Sequence, residues 1–186
     1  MSDRARWEAK YAAAPAAAAP ASPFVAEALA RIGAPRGPAL DLAMGEGRHA
    51  LAAARAGWTT VGLDVSSIAC ERVAAAARAE GLPVRPLVAD ALALPLRPAA
   101  FDLSIVSRYL ERELAPAIAA ALAPGGHLIY ETFTVDQPAL GWGPKNPGYL
   151  LKPNELLALF PDLRILIYRD AADPGHGALA SLLARR

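Results

Sequence analysis

The chain has 186 residues and a mass of 19.4 kDa, which suits one domain with a sizeable core. Its net charge of +1 excludes a dedicated nucleic-acid binder, since such proteins carry an excess of positive charge for the phosphate backbone. No apolar stretch approaches the roughly 18 uncharged residues of a membrane-spanning helix, the charged N-terminus has no apolar signal core, and the single Cys70 excludes a disulfide framework. We therefore expect a cytoplasmic monomer or homodimer with no nucleic-acid, membrane or metal partner.

The first 37 residues are predicted to form a helical and extended segment that caps a domain of residues 38–186. A short helix is expected around Trp7 and Tyr11. Prolines interrupt residues 12–23, so this tract is predicted to be an extended connector. Residues 24–32 are predicted to be a helix with Ser22 as its N-cap.

From residue 39 onward, strand and helix patterns alternate regularly. Strands are predicted at residues 39–43, 59–63, 84–88, 101–106, 127–133 and 163–168. Helices are predicted at residues 48–56, 66–79, 111–122 and 153–160. This alternation indicates a mainly parallel sheet covered on both faces. The tail, residues 178–186, is compatible with either a helix or a strand.

Two features at strand ends point to a nucleotide-like ligand. In an open parallel sheet, ligands bind outside the carboxyl ends of the strands. After the first strand, Gly45 and Gly47 form a turn that lets a ligand approach the backbone beside a helix N-terminus. Asp64 ends the second strand, 23 residues after Asp41, where a carboxylate can accept both hydroxyls of a ribose. Together they indicate an adenosine-containing ligand and leave open a dinucleotide or S-adenosylmethionine.

Further motifs separate these two ligands. Asp90 ends the third strand, where it can accept a hydrogen bond from an adenine amino group, and Pro124-Gly-Gly126 leads into the fifth strand. Residues 40–47, 62–64, 89–91, 101–102 and 122–126 together resemble the class I S-adenosylmethionine-dependent methyltransferases. The resemblance implies a Rossmann-like, doubly wound α/β fold. Its seven-stranded sheet would be mostly parallel, with the last strand antiparallel, which favours a strand for the tail.

The resemblance also implies a set of cofactor-binding residues. It places Asp64 on the ribose, Val65 and Asp90 on the adenine, Arg48 on the methionine carboxylate, and Ser107 facing the methyl group. The full set of positions that match the family's S-adenosylmethionine site is Asp41, Ala43, Met44, Gly45, Gly47, Arg48, Asp64, Val65, Asp90, Ala91, Leu92 and Ser107.

The first loop departs from the family pattern at two positions. Where that pattern reads D-x-G-x-G-x-G, this chain has Ala43 in place of the first glycine, followed by Met44. The small Ala43 fits if its φ stays negative. Met44 is expected either to narrow the pocket or to pack on the cofactor.

A closer likeness within this family appears downstream. Residues 45–49, 143–147, 150–153 and 155–160 resemble the small single-domain enzymes related to tellurite methyltransferase. This likeness implies a small-molecule methyl acceptor of a soft or anionic kind, such as a thiol or a chalcogen oxyanion. Ser107-Arg-Tyr-Leu110 follows the fourth strand, where enzymes that methylate DNA amino groups carry Asn/Asp-Pro-Pro-Tyr.

Arg108, Tyr109 and His176 are the candidate catalytic residues. Arg108 and Tyr109 follow the fourth strand, and an arginine can hold an anionic acceptor with two parallel hydrogen bonds. His176 lies on the connection that returns to the same edge after the sixth strand. We expect these residues and the loop around Trp142 to share one cavity. Alternatively, Arg108 pairs with a nearby glutamate and His176 belongs to a solvated turn.

Two other functions remain open at this point. A catalytically silent S-adenosylmethionine-binding module would account for Ala43-Met44 and for the lack of an obvious general base. An NAD-dependent oxidoreductase is disfavoured by the missing third glycine, the Asp90 motif and the absence of a Tyr-x-x-x-Lys pair.

Overall fold

Seven strands form one sheet in the order β3-β2-β1-β4-β5-β7-β6 in the computed structural model, which describes residues 2–14, 19–173 and 175–186. The strands are β1 (Ala39–Leu42), β2 (Thr60–Asp64), β3 (Val84–Val88), β4 (Phe101–Ser107), β5 (Leu122–Phe133), β6 (Arg164–Asp173) and β7 (Gly177–Arg185). β1 to β5 pair in parallel, and β7 runs antiparallel to both β5 and β6. The predicted Rossmann-like fold is confirmed, including a strand for the tail.

The described residues form six α-helices. They are α1 (Asp3–Ala13), α2 (Pro23–Ile32), α3 (Arg48–Arg55), α4 (Ser67–Glu80), α5 (Ala115–Ala121) and α6 (Glu155–Leu159). Short 3₁₀ turns occur at Arg112–Leu114, Gln137–Leu140 and Pro147–Tyr149. None of the helices in the described ranges has the length and apolarity needed to pass through a lipid bilayer.

Hydrophobic cores lie on the two faces of the sheet. Side chains along a strand point alternately to opposite faces, so Leu128 and Tyr130 pack on one face while Ile129 packs on the other. The first face is covered by α5 and α6, and the second by α2 and α3. Every residue of β1 is buried, as expected for a central parallel strand. The carboxyl ends of the parallel strands meet at one edge of the sheet, so the polar residues at these ends lie along that edge.

Several element boundaries differ from the sequence prediction. The predicted helix 111–122 begins as a 3₁₀ turn and becomes α-helical only at Ala115, and β5 begins at Leu122 with an irregular register opposite β4. The predicted helix 153–160 is shortened to α6, because Asn154 takes a left-handed backbone conformation and separates Pro153 from it. β6 extends to Asp173 because β7 pairs along its whole length.

The N-terminal segment contains the two predicted helices. Ser22 caps α2 by accepting a hydrogen bond from the Val25 amide at 3.3 Å. The predicted extended connector, residues 12–23, falls partly on residues 15–18, which lie outside the described residues. The division of the chain at residue 37 stays a prediction.

Candidate active site

A cavity of about 490 Å³ opens at the carboxyl ends of the first four strands. The turn between β1 and α3 forms one wall, with left-handed backbone at Ala43, Gly45 and Gly47. A Cβ at Gly45 would lie 2.8 Å from the Tyr11 hydroxyl, so only glycine permits this approach between the turn and α1. The turn brings the N-terminus of α3 to the sheet edge.

Most of the predicted cofactor-binding residues line this first cavity. Those that do so are Ala43, Met44, Gly45, Arg48, Asp64, Val65, Asp90, Ala91, Leu92 and Ser107. Asp41 and Gly47 are not among its lining residues; Asp41 lies beneath the wall, buried.

Asp64 ties the glycine turn to the start of α4. Its Oδ2 accepts a hydrogen bond from the Gly45 amide at 2.8 Å, and its Oδ1 accepts one from the Ser66 amide at 2.9 Å. Burial raises the pKa of Asp64, and these amide donors act against that rise. Each carboxylate oxygen has a second lone pair, so Asp64 can still accept hydrogen bonds from a ligand's hydroxyls.

The structure gives the conformation of the two unusual residues of the first loop. Ala43 has φ of +56°, so the condition of a negative φ is not met. The Met44 thioether packs against Cys70 and Val73, in space left by Gly62, where a Cβ would collide with Met44 Sδ. The core therefore takes up most of the bulk of Met44, although Met44 also lines the first cavity.

Four polar residues interact next to the first cavity, two of them buried. They are Asp41, Arg48, Ser107 and Glu131. Burial raises the pKa of Asp41 to about 7, and its Oδ2 has no hydrogen-bond partner among the described residues. Arg48 donates to the Ser107 hydroxyl at 3.5 Å and faces both Asp41 and Glu131 electrostatically. Sequence reasoning missed Glu131, although a glutamate inside the apolar strand β5 was a visible signal.

Helix α1 covers the first cavity with Trp7, Lys10 and Tyr11. The Glu8 carboxylate accepts hydrogen bonds from the Ser67 amide at 2.8 Å and from the Ser66 hydroxyl at 2.9 Å, at the N-terminus of α4. The Ser67 amide is the largest cause that lowers the pKa of Glu8 to about 2. Glu8 thereby holds α1 over the cavity; the sequence analysis expected a capping segment but did not single out Glu8.

The two ends of α1 are tied down as well. Arg72 donates to the Ala14 carbonyl at 2.8 Å and to Glu46 at 2.7 Å. Near the other end, Arg6 donates to the Tyr149 hydroxyl at 3.3 Å, which joins α1 to the loop after β5. Contacts from two separate parts of the domain thus position α1.

A second cavity of about 560 Å³ adjoins the first. The residues that line both cavities are Trp7, Lys10, Arg108, Tyr109 and Glu111. On the far side, the Phe133 and Trp142 rings meet edge to face at 6.1 Å. Arg108, Tyr109 and the Trp142 loop therefore come together, as the sequence analysis expected.

The wall shared by the two cavities carries two cations, Lys10 and Arg108, and one carboxylate, Glu111. Arg108 has φ of +54°, and its guanidinium lies 5.5 Å from the centre of the Phe133 ring. Burial lowers the pKa of Lys10 and of Arg48, and the charge of Arg108 lowers both further. The mutual repulsion of these three positive charges favours an anionic ligand between them.

His176 is the candidate that the structure places elsewhere. It lies on the exposed turn between β6 and β7, with Nδ1 3.2 Å from Asp173 Oδ1. It lines neither of the two cavities. The turn does return to the carboxyl edge of the sheet, but its imidazole pairs within the turn.

Residues 39–126 match a family model described as a methyltransferase domain. The matched stretch begins at β1 and ends inside β5, so it contains the strand ends around the first cavity. The matched stretch, slightly under half of the chain, is therefore similar to a methyltransferase domain. No curated protein matches the sequence of the chain.

Three solved structures illustrate the proteins that share this fold. One, described for the conversion of a disulfide bond into a thioacetal group during echinomycin biosynthesis, is 24% identical (TM-score 0.73, 98% of this chain and 90% of that one). TehB from Haemophilus influenzae is 20% identical (TM-score 0.71, 87% and 61%). An S-adenosylmethionine-dependent methyltransferase from Mesorhizobium loti is 22% identical (TM-score 0.67, 86% and 96%). At these identities the likeness is one of fold.

Proposed function

We propose that this methyltransferase transfers the methyl group of S-adenosylmethionine to a small anionic molecule in the second cavity. The observation that carries the proposal is the wall shared by the two cavities, which includes Lys10, Arg108 and Tyr109. A cofactor in the first cavity and an acceptor in the second would meet across these side chains. Methyl transfer needs such an in-line approach of two reactants.

The first cavity fits S-adenosylmethionine by size and by chemistry. Its volume lies within the roughly 300–1,000 Å³ of small-molecule sites. Asp64 offers carboxylate oxygens for ribose hydroxyls, and the apolar Val65, Ala91 and Leu92 offer a surface for an adenine ring. Arg48 supplies a cation for a carboxylate at the N-terminus of α3. When bound, S-adenosylmethionine supplies a methyl group already activated by its positively charged sulfur.

The protein's own contribution is alignment and exclusion of water. α1 covers the first cavity, and Tyr109 and Trp7 line both cavities, where they would exclude water from bound reactants. Arg108 and Lys10 hold the negative charge of the acceptor beside the methyl group. An acceptor that is already anionic needs no general base. Glu111 is the carboxylate that lines both cavities among the described residues.

We further place the chain in the small tellurite-methyltransferase-like branch. The motifs at residues 45–49 and 143–147 support this, and so does the shared fold with TehB. The acceptors that this branch suggests are thiols and chalcogen oxyanions. The neighbour from echinomycin biosynthesis, by its description, also involves sulfur chemistry.

Calorimetric titration with S-adenosylmethionine tests the cofactor half of the proposal. Asp64→Asn removes the charge but keeps the shape, so we expect about tenfold weaker binding or more, the value of a hydrogen bond to a charged group. Arg97→Gln, an exposed charge change outside both cavities, is the matched control and should leave affinity unchanged. Equal affinity of Asp64→Asn and wild type would remove Asp64 from the site.

Arg108→Gln tests the acceptor half. We expect cofactor affinity within about twofold of wild type but turnover of an anionic acceptor reduced by about tenfold or more. Full turnover by this variant would contradict the role given to Arg108. Cofactor binding without turnover of any acceptor would instead favour the silent binding module.

A further inference from the structure

We infer that the methyl acceptor is a small aromatic acid, a flat organic anion, and not an inorganic oxyanion. This inference rests on the proposed function and specifies the acceptor within it. It comes from the walls of the second cavity, which combine aromatic rings with cations.

The second cavity is large and aromatic for an inorganic acceptor. Its volume of about 560 Å³ is that of a site for an organic molecule, whereas an oxyanion has only a few heavy atoms. Trp7 from α1, Tyr109 after β4, Phe133 from β5, and Trp142 and Tyr149 from the following loop bring rings to its wall. A ligand without an apolar body would leave these rings in contact with water.

Two of these rings are unusually open to solvent. Trp142 is 38% exposed and Tyr149 is 37% exposed, although both line the cavity. Burying such rings under a flat ligand is favourable, both through the apolar area removed from water and through ring stacking. The openness of these two side chains therefore fits a ligand with a planar apolar body.

The cations of this cavity lie directly beside its rings. Lys10 Nζ is 4.2 Å from the centre of the Trp7 ring, and the Arg6 guanidinium is 5.8 Å from that of Tyr149. Arg108 lies in the same way beside Phe133. A cation over a ring keeps its charge while resting on an apolar surface. One ligand can therefore touch a ring and a cation in the same place.

The excess of cations among the lining residues favours an anionic ligand. Arg6, Lys10, Arg108 and Lys145 line the second cavity, and Glu111 is the only carboxylate among the described residues that do so. Lys10 and Arg108 also line the first cavity, whereas Lys145 lines only the second. We assign the nucleophile to the junction beside Arg108, and the carboxylate of the acceptor to the side of Lys145.

The transfer step balances without a further reactant. For an aromatic thiol, the thiolate lone pair forms the new sulfur–carbon bond to the methyl group. The electron pair of the broken bond stays on the sulfonium sulfur, which becomes a neutral thioether. The thiolate has already given its proton to solvent, so no base is consumed in this step.

Methyl transfer to four acceptors tests the inference. They are 4-mercaptobenzoate, which has both ring and carboxylate; 4-methylthiophenol, which lacks the carboxylate; 3-mercaptopropionate, which lacks the ring; and selenite. We expect kcat/KM for 4-mercaptobenzoate to exceed each of the others by about tenfold or more, since it alone makes both kinds of contact.

Two variants separate the ring from the charge. Lys145→Gln should lower kcat/KM for 4-mercaptobenzoate by about tenfold and leave 4-methylthiophenol within about twofold, because only the former has a carboxylate. Lys152→Gln, an exposed lysine outside both cavities, is the control and should change neither. Trp142→Ala should lower kcat/KM for both aromatic acceptors and leave kcat/KM for 3-mercaptopropionate unchanged.

The outcomes distinguish this inference from the proposed function. Selenite, 3-mercaptopropionate or 4-methylthiophenol turned over as well as 4-mercaptobenzoate would overturn the inference and leave the methyltransferase activity in place. Binding of S-adenosylmethionine with no methylation of any of the four would also overturn it. A chain that does not bind S-adenosylmethionine in the calorimeter would overturn the proposed function itself.

Discussion

Ala43 carries a left-handed backbone conformation, with φ of +56°, at the first bend after β1. For a residue with a Cβ this conformation costs about 1–2 kcal/mol, whereas glycine adopts it freely. We expect Ala43→Gly to raise the free energy of unfolding by about 0.5–1 kcal/mol, since added freedom in the unfolded chain offsets part of the gain. Urea unfolding at equilibrium measures this difference.

Ala52→Gly is the matched control for that substitution. Ala52 lies inside α3, where glycine costs about 1 kcal/mol relative to alanine, so this variant should be less stable than wild type. A loss of stability in both variants would show that Ala43 is not strained and that its methyl group packs usefully.

Met44, in the turn after β1, and Gly62, on β2, form a complementary pair. The Met44 side chain is accommodated because Gly62 has no Cβ. Met44 is 5% exposed and packs with Cys70 and Val73 of α4. Met44 therefore fills the space that Gly62 leaves in the core. Replacing Met44 alone with a smaller residue would leave a cavity there.

Glu8 gives α1 its position as a cover. A carboxylate at a helix N-terminus satisfies amides that have no partner within the helix and interacts favourably with the helix dipole. We expect Glu8→Gln to speed amide hydrogen exchange of α1 and to weaken S-adenosylmethionine binding, each by several-fold, because the cover opens more often. Exchange mass spectrometry and calorimetry measure the two effects.

Glu71→Gln is the control for the cover, because Glu71 is an exposed glutamate on the same helix, α4, that Glu8 caps. It should change neither exchange in α1 nor affinity. If Glu8→Gln weakened binding while exchange in α1 stayed at the wild-type rate, Glu8 would act on the cofactor and not on the helix position.

The element order could be predicted from the sequence because local signals mark nearly every boundary. Ser66 begins α4 and Gly81 ends it, and the strands are apolar runs between such signals. Boundaries failed where long-range pairing decides them: β6 is extended by its ladder with β7. Asn154 shortened α6 through a left-handed φ that sequence patterns do not reveal.

The strand-end residues of the candidate site were predictable for a topological reason. Parallel strands bring their carboxyl ends to one edge, so Asp64, Asp90 and Ser107 meet there whatever their separation in sequence. The sequence predicted a helix in a capping segment, but the contacts that dock α1 were not predictable. Glu8 contacts residues 58 to 60 positions away, and no local pattern specifies where a helix before a proline-rich connector will dock.

At the scale of the whole molecule, two buried groups oppose each other in their response to pH. The pKa of Asp41 is raised from its ordinary 3.8 to about 7, chiefly by burial, with Arg48 and Asp64 facing it. The pKa of His49 is lowered from its ordinary 6.5 to about 3, chiefly by burial, with Arg48 and Arg108 facing it. Neutral His49 accepts a hydrogen bond from the Ser22 amide at 3.3 Å and so holds the start of α2.

The signs of these two shifts predict how stability depends on pH. Asp41 prefers to be protonated in the folded state, so its contribution to the free energy of unfolding falls as pH rises from about 4 to about 7. His49 prefers to be neutral in the folded state, so its contribution to the free energy of unfolding falls as pH drops from 6.5 toward 3. Between pH 4 and 6.5 the pH dependences of these two contributions nearly cancel.

Urea unfolding across this window should show that the free energy of unfolding of Asp41→Asn increases with rising pH, whereas that of His49→Gln decreases. Asp64, whose pKa is also raised, is present in all three proteins and drops out of the comparison. Parallel pH profiles for wild type and both variants would show that neither group changes its protonation on folding.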